Sequence, residues 1–109
     1  MSLKIISFIK YIIVLSTLGI YSVSAEQKTI TFDDGSTYIG EVVSGNMEGK
    51  GLFKSPKNKS DKQLVYSGEF KEGKFNGLGQ LDFYNGDSYI GDFSEGLMHG
   101  SGVLRYKNG

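Results

Sequence analysis

The residues able to do acid–base, metal or nucleophilic chemistry are few here, and their spacing does not serve it. His99, in GLMHGSG, is the one histidine, and general-base work needs a second group placed to orient it. Asp33-Asp34 stands directly before Gly35, the setting of a turn. No third carboxylate at ligand spacing joins that pair to hold a hard cation. There is no cysteine, so disulfides and thiolate metal sites are excluded. Serines are plentiful, but no Gly-x-Ser-x-Gly elbow or His/Asp constellation accompanies them. The expectation is a protein that is not an enzyme, with no cofactor, no metal and no small-molecule substrate.

One local cluster carries charge of a single sign. Lys54, Lys57, Lys59 and Lys62 fall within KSPKNKSDK, diluted only by Asp61. Near an anionic membrane each lysine contributes about 1 kcal/mol, so contact with acidic lipid or an acidic partner is one reading. A solvated loop is the plainer one, and the composition favours it. The whole chain balances 12 basic against 12 acidic residues, without the basic face and high pI that nucleic acid requires.

The first 25 residues read as a helical secretory leader. Lys4 and Lys10 give a basic start, Tyr11 to Ile20 is a short apolar run, and Val23-Ser24-Ala25 supplies small residues before a cut ahead of Glu26. An uncleaved anchor is the alternative, but the 13 residues after Lys10 fall short of the roughly 20 that span a bilayer. The expected localisation is therefore exported: periplasmic, secreted or attached to the cell envelope. What remains is a single small domain of 84 residues.

That domain states one pattern three times: YIGEVVSGNMEGKG from Tyr38, YSGEFKEGKFNGLG from Tyr66 and YIGDFSEGLMHGSG from Tyr89. Gly40, Gly68 and Gly91 follow their tyrosines by two positions, and Phe70 and Phe93 stand two further on. The pairs Gly49/Gly51, Gly77/Gly79 and Gly100/Gly102 close the copies. Glycines in register mark backbone that needs positive φ or no side chain, and a repeat of 20–50 residues marks a repeat array. Ile30 to Phe53 aligns without gaps on Leu81 to Leu104, 51 residues later. The middle copy starts 23 residues before the third and 28 after the first, with the extra five in Lys54–Gln63.

Within each copy the period is two, as in strands. Tyr66, Gly68 and Phe70 share one face with Gly77, Gly79, Leu81 and Phe83; Ser67, Glu69 and Lys71 lie on the other, mostly polar face. Segments such as KEGKFN and SEGLMH join paired strands, and Asn85-Gly86 and Asp34-Gly35 read as two-residue hairpin turns between copies. The expected fold is all-β: an antiparallel meander of about seven strands near 28–32, 36–43, 49–54, 63–70, 77–84, 87–94 and 100–106. Strand glycine costs roughly 0.5–1 kcal/mol, and burying a Phe-sized ring returns about 1.5–3 kcal/mol. The expected core is thus a ladder in which the ring of one copy, reaching from an adjoining strand, covers the bare backbone of its neighbour. Gly91 is expected to be required for that reason.

Tyr-x-Gly-Glu/Asp-Phe, a turn glycine, then Gly-x-Gly before an apolar strand resembles the MORN (membrane occupation and recognition nexus) repeat. The resemblance runs from about Ile30 to the C-terminus, with repeats at 30–54, 64–86 and 87–109. It implies β-hairpin repeats in an elongated single-layer sheet, and a function in binding a protein or a membrane surface as a scaffold. It also implies that His99, before Gly-x-Gly, is a turn residue. Val42 departs from the aromatic seen at Phe70 and Phe93, so looser packing is expected in the first repeat. Tyr106-Lys107-Asn108-Gly109 aligns with Phe83-Tyr84-Asn85-Gly86, which suggests an array truncated at the start of a fourth repeat, in one version the array of a longer enzyme.

Overall fold

The computed structural model describes residues 4–9, as backbone only, and 25–108. One antiparallel sheet takes its strands in chain order: β1 (Lys4–Ile9), β2 (Glu26–Thr31), β3 (Thr37–Val43), β4 (Asn46–Lys54), β5 (Val65–Lys71), β6 (Lys74–Asp82), β7 (Ser88–Ser94) and β8 (Leu97–Arg105). The seven strands expected from the repeats are β2 to β8. The expected helical leader lies outside the described residues, apart from Ala25 and Lys4–Ile9, and the latter are a strand paired with β2 and not helix.

The turns differ from the expectation in kind. β4, β6 and β8 each begin three residues earlier than anticipated, because two-residue turns do the joining: Ser44-Gly45, Glu72-Gly73 and Glu95-Gly96. Their φ values are 51° and 82°, 51° and 81°, and 52° and 86°, positive at both central positions as a type I′ hairpin demands. Asn85-Gly86 is not such a turn, since only Gly86 has positive φ, at 94°. Gly86 N–H donates to Phe83 O and Phe83 N–H to Asp87 O, a type I turn followed by a left-handed glycine. Gly35, with φ 92°, repeats this between β2 and β3, where Phe32 and Ser36 pair likewise. Asn85 and Asp34 accept the N–H two residues on, from Asp87 and Ser36. That side-chain bond holds the negative φ of a type I turn and outweighs the Asn-Gly preference for I′.

The three hairpins within the copies, β3–β4, β5–β6 and β7–β8, each carry a bulge. Gly68 faces Gly79 but Phe70 faces Phe75, so the pairing slips around Glu69; the same slip occurs after Gly40 and Gly91. A slip of two preserves the faces, so the rings stay on one side of the sheet. There Tyr38, Val42, Tyr66, Phe70, Leu81, Tyr89 and Phe93 form the buried core with Ile30. Val42 is as buried as Phe70, each 4% exposed, so looser packing of the first repeat does not show as exposure.

Candidate functional site

The ring face is committed to holding the fold. Tyr66 leans along β5 over the Gly68–Gly79 pair of its own hairpin, and a Cβ added at Gly79 would lie 2.3 Å from the tyrosine oxygen. Tyr38 covers Gly40 and Gly51, and Tyr89 covers Gly91 and Gly102, in the same way. This corrects the expected ladder: each tyrosine covers its own copy's glycines, not its neighbour's. At Gly91 the nearest obstacle is the Gly102 Cα, 2.4 Å from an added Cβ, with the Tyr89 oxygen at 2.7 Å. Copies meet ring to ring instead. Tyr38 and Phe70 are 5.0 Å apart at 83°, and Tyr66 and Phe93 5.0 Å apart at 87°, the edge-to-face arrangement aromatic quadrupoles prefer. Phe75 stacks flat on Tyr66 at 3.8 Å.

The acidic residue that closes each Tyr-x-Gly-Glu/Asp motif is also occupied. Glu41 accepts the Lys50 N–H at 2.8 Å, Glu69 the Leu78 N–H at 2.7 Å, and Asp92 the Ser101 N–H at 3.2 Å. Each carboxylate thus satisfies a donor that the bulge removes from the ladder. Their main-chain carbonyls accept the tyrosine hydroxyls: Tyr38 to Glu41 at 2.7 Å, Tyr66 to Glu69 at 2.8 Å, Tyr89 to Asp92 at 3.2 Å. Burial, reinforced by the Glu69 charge, pushes the Tyr66 phenol up to about 12; burial with Glu41 and Glu48 nearby raises Tyr38 as well. Gly49, Gly77 and Gly100 sit at the bulges with φ of 61°, 92° and 59°.

The other candidates are dispersed. His99 lies exposed within β8, not in a turn as the resemblance implied. Asp34 accepts both the Ser36 N–H and its hydroxyl, which hold its carboxyl below the usual range. Among the described residues no three His, Asp or Glu side chains gather to hold a metal ion. Lys54 ends β4, and Lys57, Lys59 and Lys62 follow in the connection to β5; all four are exposed. Ser55 anchors the connection, accepting the Leu64 N–H at 2.8 Å and the Tyr84 hydroxyl at 3.2 Å, while Asn58 accepts the N–H groups of Ser60 and Lys62. Lys57 pairs with Asp61 at 3.3 Å, an exposed pair of small energetic weight.

The feature that the sequence reading missed is on the opposite face, expected to be mostly polar. Ile39 pairs with Leu52, Leu52 with Ser67, Ser67 with Gln80, Gln80 with Ile90, and Ile90 with Val103. This row crosses six strands, about 24 Å at the usual strand spacing. Leu78 stands beside it, 63% exposed, and Ile39 and Ile90 are each 46% exposed. Together with Lys50, Glu69 and Gln80 they line an open groove of about 690 Å³. The signal was present in the isoleucine of Tyr-Ile-Gly at 39 and 90. Alternation counts only one residue at a time, so it hides a row that forms across strands.

The MORN repeat profile matches this chain at residues 38–60, 66–88 and 89–109. No curated protein matches it closely enough to count as a relative.

Proposed function

The chain belongs to the MORN repeat family, and on that premise we propose that it is a non-catalytic, exported interaction module that receives an apolar segment of a partner protein across its groove. Repeats of this family generally serve protein or membrane interaction and are typically non-enzymatic. The observation that carries the reading is the exposed row from Ile39 to Val103. The buried rings already supply the fold's core, while Ile39, Leu78, Ile90 and Val103 are exposed on the other face, interrupted by Ser67 and Gln80; exposed apolar surface rimmed by polar groups marks a binding site. Lys50 and Glu69 at the groove give a partner's polar groups a register. Export rests on the leader motif alone.

A membrane-surface role through the lysine loop is the second reading, favoured by the exposure of all four lysines. One experiment separates the two. A photo-crosslinking residue at Leu78 or Ile90 is expected to give a discrete protein adduct in the producing cell, lost on Ile39→Lys. No adduct, with salt-sensitive binding to phosphatidylserine vesicles that disappears when the four lysines become Gln, would establish the membrane reading instead.

A further inference from the structure

The connection between β4 and β5, where the first copy is longer than the others, holds a motif that neither reading of the lysines uses. Asn58-Lys59-Ser60 is Asn-x-Ser with a residue other than proline between, the acceptor pattern of N-linked oligosaccharide transfer. The other asparagines are Asn46, Asn76, Asn85 and Asn108, and none has serine or threonine two positions on.

The fold supplies what the motif alone lacks. Asn58, Lys59 and Ser60 are all exposed. The Asn58 Oδ1 accepts the Ser60 N–H at 2.9 Å and the Lys62 N–H at 3.0 Å, an Asx turn. The main chain closes the same loop: Asn58 N–H donates to Lys62 O at 2.8 Å and Asp61 N–H to Asn58 O at 2.9 Å. These bonds occupy the oxygen of the Asn58 amide. Its Nδ2, the nucleophile in glycosyl transfer, makes no hydrogen bond among the described residues. The turn also stands Ser60, whose hydroxyl the transferring enzyme reads, next to the acceptor amide.

We propose that Asn58 carries an N-linked oligosaccharide in the exported chain. The inference rests on the export reading, because the donor meets chains on the secretory route. That donor is a polyprenyl-diphosphate-linked oligosaccharide. Asn58 Nδ2 bonds to the anomeric carbon, and the bond from that carbon to the diphosphate oxygen breaks. The polyprenyl diphosphate leaves with the electron pair, Nδ2 gives up a proton to a base of the transferase, and nothing is oxidised or reduced. Asn58 lies outside the groove lining, so the apolar row stays open to a partner. Lys57, Lys59 and Lys62 flank the site, and a bulky glycan there holds them off a bilayer.

The test is the full chain made in a cultured cell whose secretory pathway carries this donor. The exported product is expected to migrate as a heavier species that peptide N-glycosidase collapses, leaving Asn58 deamidated in the peptide mass spectrum. Ser60→Ala removes the hydroxyl and keeps the N–H that Asn58 accepts, and it should abolish the shift. Ser60→Thr should retain it. An exported chain without the glycan, or a Ser60→Ala chain that still carries it, overturns the proposal and leaves export standing. A chain that never leaves the cell overturns the export reading instead. The same chain behind a proven secretory leader then decides the site: a glycan lost in Ser60→Ala supports it, and no glycan overturns it.

Discussion

The hydroxyl of Tyr66 donates to the main-chain oxygen of Glu69, three residues along and 2.8 Å away. The same Glu69 sends its carboxylate across the hairpin to the Leu78 N–H at 2.7 Å. One short motif thus ties a ring, a bulge and the return strand together. The arrangement recurs at Tyr38/Glu41 and Tyr89/Asp92.

Tyr66→Phe keeps the ring over Gly68 and Gly79 and removes only this donor. A loss of about 0.5–1.5 kcal/mol is expected, read as a lower urea midpoint with unchanged slope. Tyr66→Leu also forfeits the stacked contact with Phe75 and should cost clearly more. Equal losses in the two variants would mean that the ring contributes nothing.

Gly91→Val raises β-propensity yet should destabilise. Its Cβ would lie 2.4 Å from Gly102 Cα and 2.5 Å from Ser101 O, and overpacking of this kind costs about 1–3 kcal/mol. Ile90→Val, on the groove face, should be mild. Chemical denaturation of both variants checks the pair; a Gly91→Val protein as stable as the parent contradicts the close Gly91–Gly102 approach.

Glu95 is held at φ 52° at the first position of a type I′ turn. Asparagine tolerates that region and other L-residues pay roughly 1–2 kcal/mol to occupy it. Glu95→Asn should therefore raise stability by up to about 1 kcal/mol, visible as a higher melting temperature.

High pH should unfold the sheet. Tyr66 ionises at about 12 when folded, against 10 when exposed, and Tyr38 shifts in the same direction. Above pH 10 the unfolded chain loses phenolic protons that the folded one keeps, so stability falls with rising pH. It is present in full below 10 and drains away as pH climbs through 12. Denaturation midpoints should hold below pH 10 and fall between 10 and 12, and less so in Tyr66→Phe.

Export should leave a product beginning at Glu26. Intact-mass analysis of the exported protein reads this, and a chain still starting at Met1 and sedimenting with membranes contradicts it. Such processing removes Lys4–Ile9 and leaves β2 as the outer strand on that side.

The sequence by itself determined the strand order, the repeat and the ring face. Those depend on alternation within a strand and on the fixed offsets of Tyr66, Gly68, Phe70 and Gly79, which are local and periodic. Turn class was beyond it at Asn85-Gly86, because the Asn85 side chain bonds the Asp87 N–H and holds a type I turn. It was also beyond it at Glu72-Gly73, because a two-residue slip of register around Glu69 moved the start of β6 back to Lys74. Which glycines a tyrosine covers, and the row joining Ile39 to Val103, depend on which residues of separate strands stand opposite each other. A bulge resets that pairing in the hairpin of each copy, so only the folded sheet decides it.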